Sequence, residues 1–158
     1  MKAATLHQLK KELVHKNPDE MLQLILRLTK YKKDNKELLT YLIFDADNEE
    51  GYIENLKVSL DEKMDEINKS NLYTRKRGLR KVIRYLDKFI RYSGSKETEI
   101  EMRIYLCKKM AEHKMPFHRI NAFMTIYDGQ IKKIRSALGK LHEDLQYDYL
   151  EELKKVER

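Results

Sequence analysis

Residues 72–92 read LYTRKRGLRKVIRYLDKFIRY. Leu79, Val82, Ile83, Leu86, Phe89 and Ile90 recur at separations that keep them on one side of a helix of about 3.6 residues per turn, while Arg77, Arg80, Lys81, Arg84, Lys88 and Arg91 fall within about 50° of the opposite pole. No alternation of period two runs through the stretch, so it predicts an amphipathic helix with one apolar and one cationic face. Ser93, Gly94 and Ser95 follow it, and Gly94 is the expected left-handed residue just past the helix end.

The charge around this helix is segregated. From 69 to 96 there are ten basic residues against one acid, Asp87, a net charge of +9 in a chain whose total is +7. Immediately upstream, from 45 to 66, nine acids face only Lys57 and Lys63, a net charge of −7. Two arrangements follow. An acidic helix over 49–69, on the stripe Ile53, Leu56, Leu60, Met64 and Ile67, can fold back antiparallel and spend the cations internally. Alternatively the stripe stays open to an anionic partner such as RNA or DNA, with Arg77, Arg80, Lys81, Arg84, Lys88 and Arg91 meeting phosphates and Tyr85 and Tyr92, at the stripe's edge, stacking on bases. The sequence leaves both open.

Helical periodicity extends through the rest of the chain. Thr5 is placed to cap a short helix carrying Leu6, Leu9 and Leu13. Asn17-Pro18-Asp19-Glu20 supplies a cap, a proline in the first turn and two acids for a second helix. Asp34 with Glu37 reads as a capping box for a third, with Leu38, Leu39, Leu42 and Ile43 on its apolar side. A sixth helix is expected on Ile100, Ile104, Cys107 and Ala111, stopped by Met115-Pro116. The fold class is therefore all-α: an irregular bundle of six or seven helices forming a single domain over 1–158, with 93–95 as the candidate sub-boundary.

From Ile120 onward the apolar residues are spaced in heptad order through Met124, Tyr127, Ile131, Ile134, Leu138, Leu141 and Leu145. One helix over 117–155 would be about 58 Å long, whereas a compact domain of this size is only about 39 Å across, so the helix must bend at Gly129 or Gly139, project, or be covered. The seam Ile131, Ile134, Leu138, Leu141 and Leu145 is the candidate interaction surface. A homodimer through its far end, around 145–153, is one expectation it raises.

Composition excludes several classes. The longest apolar run, 41–44, is far short of the roughly 20 residues of a membrane span, and the start lacks an apolar signal segment, so a soluble cytoplasmic protein without a membrane partner is expected. Cys107 is the sole cysteine and lies on an apolar stripe, which points to the core. Asp45, Asp47 and Glu49 mimic the start of a calcium loop, but Glu50 stands where glycine is needed and Leu56 where the terminal glutamate is needed. Glu12-x-x-His15 has no second copy, and Cys107, His113 and His118 match no zinc spacing. Gly-x-Ser-x-Gly, a phosphate-binding glycine loop and His-Glu-x-x-His are all missing. No catalytic, cofactor or metal residue is assigned. The expected function is a non-enzymatic protein-interaction or scaffold module, binding another protein or itself, with nucleic-acid binding through the 72–92 stripe as the alternative.

Overall fold

The computed structural model describes residues 2–68, 71–117 and 120–157, and among them there is no strand. The eight α-helices of these residues are α1 (Leu6–Leu13), α2 (Pro18–Tyr31), α3 (Lys33–Thr40), α4 (Glu49–Asn68), α5 (Leu72–Ser93), α6 (Lys96–Glu112), α7 (Asn121–Leu138) and α8 (Glu143–Lys154), with one π-helical turn, Tyr41–Asp45, between α3 and α4. Lys69, where α4 was expected to end, lies outside the described residues. None of these helices is long and apolar enough to cross a membrane. The residues sort into two compact units, 1–44 and 45–158, and the turn at 93–95 lies inside the second.

In the first unit the helix starts follow the sequence closely. The Thr5 side chain accepts from the Gln8 N–H and the Gln8 side chain accepts from the Thr5 N–H, closing a capping box. Asn17 and Glu20 do the same for α2, with Pro18 in the first turn. The third cap differs from expectation. α3 starts at Lys33, with Lys32 as an N-cap that makes no side-chain bond, so Asp34 sits inside the first turn instead of capping it. α2 and α3 pack as neighbours, and Asn35 Nδ2 donates to the Leu28 carbonyl at 2.7 Å across their junction. No side chain of α1, α2 or α3 is buried.

The second unit is built around α6. Eight of its residues are buried, Thr98, Ile100, Met102, Arg103, Ile104, Leu106, Cys107 and Met110, so the helix is buried over a much wider arc than the single expected stripe. α4, α5, α7 and α8 all pack against it. Tyr105 Oη donates to Asp61 of α4 at 2.8 Å, Lys108 pairs with Glu152 of α8 at 2.8 Å, and Tyr127 of α7 donates to the Val156 carbonyl beyond α8. α4 and α5 lie against each other, tied by Tyr52 Oη donating to the Phe89 carbonyl at 2.9 Å. α5 ends as its sequence requires: Gly94 adopts φ of 70°, where a side chain would be strained, and its N–H donates to the Ile90 carbonyl.

The single long helix expected over 117–155 is corrected to two. α7 stops at Leu138 with Gly139 as its C-cap, and the chain turns until His142, extended at ψ of 147°, opens α8 with Glu143 and Asp144 in its first turn. The physical reason is packing: the break lets both α7 and α8 touch α6, which a straight helix of about 58 Å could not do. The heptad seam is interrupted at the same place. Ile134 and Leu138 are buried, Ile131 and Leu141 are half-buried, and Leu145 is exposed.

Cys107 is fully enclosed, and that burial pushes its thiol up to about 12. An aromatic disulfide reagent at pH 8 is therefore expected to leave the native protein unmodified and to react fully once denaturant is added, read as thiolate release; rapid reaction of the native chain would contradict the packing of α6.

Candidate functional site

The expected cationic helix is present as α5, with Asn71 as N-cap accepting from the Thr74 N–H at 2.9 Å. Its apolar side is spent inward, with Leu79, Val82, Leu86 and Ile90 buried. Arg77, Arg80, Lys81, Arg84 and Arg91 are exposed, and Lys88 is half-buried. From Arg77 to Arg91 the row runs about 21 Å along the axis.

The acidic helix does not neutralise this row. Glu54 pairs with Lys57 of its own helix at 2.6 Å, Asp61 with Lys109 at 3.2 Å, and Asp65 with His113 at 3.5 Å, so these three carboxylates meet α4 itself or the α6 side and none of the α5 cations. Glu49 accepts from the hydroxyls of Ser93 and Thr98. Arg77, Arg80, Lys81, Arg84 and Arg91 make no ion pair or hydrogen bond among the described residues. α4 and α5 thus touch through apolar side chains and the Tyr52–Phe89 and Ser93–Glu49 hydrogen bonds, while Arg77, Arg80, Lys81, Arg84 and Arg91 stay exposed.

The two tyrosines occupy a different setting from the one their positions suggest. Tyr85 and Phe89 are 4.6 Å apart between ring centroids, and Phe89 and Tyr92 are 5.3 Å apart edge to face. Lys63 of α4 sits 4.5 Å over the Tyr85 ring. Both rings are half-buried in this ladder, so a base stacking on Tyr85 has to displace Lys63.

On the other flank of the row, α5, the start of α6, and α7 enclose a cleft of about 620 Å³. Its floor is Arg103, only 4% exposed. Arg103 donates to Glu99 (3.2 Å from Nε), to Gln130 (2.9 Å) and pairs with Asp87 at 2.8 Å. Asp87 also holds Lys133 at 3.0 Å, and Glu99 holds Lys96 at 2.7 Å. Burial alone would raise both carboxyls, but hydrogen bonds from Lys133 to Asp87 and from Lys96 to Glu99, together with the Arg103 charge, outweigh it and hold both below their ordinary values. Both are ionised at neutral pH. Arg84 and Arg91 stand at the wall of this cleft.

Sequence reasoning missed Arg103, Gln130 and Lys133. The spacing Glu99…Arg103 is a helical i, i+4 pair visible in the sequence, and it was the available signal. Among the described residues no group of three His, Cys, Asp or Glu side chains is placed to hold a metal ion; His118 lies outside the described residues. No family model, curated protein or solved structure matches this chain.

Proposed function

We propose that this protein is a non-enzymatic helical binding module that holds a nucleic acid, RNA or DNA, along the exposed cations of α5. The reading rests on one observation: Arg77, Arg80, Lys81, Arg84 and Arg91 are exposed in a single row, without an ion-pair partner among the described residues, although a helix rich in acids packs against the same helix. Exposed cations in a row displace condensed counterions from a phosphate backbone and gain affinity without reading sequence. Tyr85, Phe89 and Tyr92 pack on one another beside the row, and Lys63 covers the Tyr85 ring, so the cations carry the contact without base stacking. Amide chemical-shift mapping with a generic oligonucleotide tests the placement. Perturbations are expected on the outer face between 77 and 91, and perturbations confined to 53–67 or to α8 would contradict it.

A second reading, a protein-interaction or scaffold role, is favoured by the apolar side chains left outside. In the first unit Leu6 is 84% exposed, Tyr31 77% and Phe44 75%. On α8, Leu145, Tyr147 and Leu150 are exposed while Leu153 is buried. A homodimer through α8 would cover the latter group. Sedimentation equilibrium is then expected to show mass above the 19.1 kDa chain at high concentration, and a monomer throughout would count against self-association.

A further inference from the structure

We infer that the cleft between α5, the start of α6, and α7 is a binding site for a phosphomonoester, the terminal phosphate group of a nucleotide. Five cations line it, Arg84, Arg91, Lys96, Arg103 and Lys133, against the two carboxylates Asp87 and Glu99, leaving a net charge of +3. The division of labour among them carries the inference. Arg103, Lys96 and Lys133 are engaged with the carboxylates, which leaves the floor one net positive charge and fixes its geometry. Arg84 and Arg91, two helical turns apart on α5, bring guanidinium groups with no partner among the described residues to the wall. A planar guanidinium offers paired N–H donors matched to two oxygens of a phosphate. The Lys133 ammonium, which reaches both oxygens of Asp87 at 3.1 and 3.0 Å, keeps a third donor.

The size and the remaining wall define the rest of the ligand. A cleft of about 620 Å³ exceeds what a phosphate alone fills and lies within the range of small-molecule sites, roughly 300–1,000 Å³. Gly94 leaves the backbone bare at the rim, where an organic body can pass out of the cleft. Ser95 and Lys96 begin α6 at the same rim, so the positive end of a 17-residue helix adds to the field of the side chains. A monoester phosphate, close to two negative charges at neutral pH, suits this excess better than the single charge of an internal phosphodiester.

The group can come from a free mononucleotide or from the phosphorylated end of a nucleic-acid strand, and the experiment separates the two. Isothermal titration of the full chain compares AMP with adenosine, and a 5′-phosphorylated oligonucleotide with its 5′-hydroxyl counterpart. Binding of AMP but not adenosine supports the site with a free nucleotide as the source; preference only for the phosphorylated oligonucleotide, by about tenfold or more, supports it with the strand end as the source. In either case Arg91→Gln and Lys133→Gln must each weaken the phosphate-dependent binding by about tenfold. Lys133 lies on α7, outside the α5 row, so Lys133→Gln is expected to leave binding of the 5′-hydroxyl oligonucleotide unchanged. The inference is overturned if the phosphate group makes no difference in either pair, or if phosphate-dependent binding survives either substitution. The nucleic-acid reading is judged separately, by whether the 5′-hydroxyl oligonucleotide binds at all.

Discussion

Replacing Arg77, Arg80 and Arg84 together by glutamate is expected to lower affinity for RNA or DNA by about 500-fold or more at 0.1 M salt, without unfolding the protein. The magnitude follows from counterion release: with a slope of about 0.9 per neutralised phosphate, each contact contributes about eightfold at 0.1 M relative to 1 M salt, and three are lost. Reversal instead of neutralisation adds repulsion, so the figure is a lower bound. Stability is expected to stay within about 1 kcal/mol, because all three side chains are exposed and make no ion pair among the described residues. Fluorescence anisotropy reads the affinity and urea denaturation reads the stability. A variant that binds as before sinks the nucleic-acid reading. A variant that unfolds shows instead that these cations are held by carboxylates, the arrangement the sequence left open.

Arg103→Met is expected to cost about 3 kcal/mol at pH 7. Methionine matches much of the volume and flexibility of the arginine stem, so the loss is electrostatic: Asp87 and Glu99 keep Lys133 and Lys96 but lose the buried guanidinium that lies between them. Gln130 loses its partner as well. Acid should narrow the gap. Both carboxyls are held low in the folded state, so their contribution is complete above the unfolded carboxyl range near pH 4 and is lost as the pH falls through the lower folded values. The wild type should therefore lose more stability than the variant between about pH 5 and pH 2. Urea midpoints at pH 7 and pH 3 check this, and equal midpoints for the two proteins at pH 7 would remove Arg103 as the organiser of the cleft floor.

What the sequence discloses is set by range. Thr5, Asn17 and Gly94 act through bonds or dihedral angles within a few residues, and each sits where its local chemistry requires. The faces of α5 are likewise a property of one helix. The break at Gly139 is only partly so: the length of the stripe makes Gly129 and Gly139 candidate bends, but the heptad order continues across both, and the need of α7 and α8 to share α6 goes with the turn at Gly139. Arg103 is not legible as a core residue because charge in a core position costs free energy unless paired, and its second partner, Asp87, is sixteen residues away on another helix. The direction in which the α4 acids point was equally out of reach. It depends on how α4 is rotated about its axis against α5 and α6, and Asp61 turned toward Lys109 and Tyr105 is what leaves the arginine row uncovered.

The most direct test of that open row is the salt dependence of binding to a generic oligonucleotide, measured by anisotropy between 50 and 300 mM salt. Five cations without an ion pair among the described residues predict a slope of log K against log salt of about −4.5 for duplex DNA and about −3.5 for a single strand. No binding at 50 mM salt, or a slope near zero, would contradict the account.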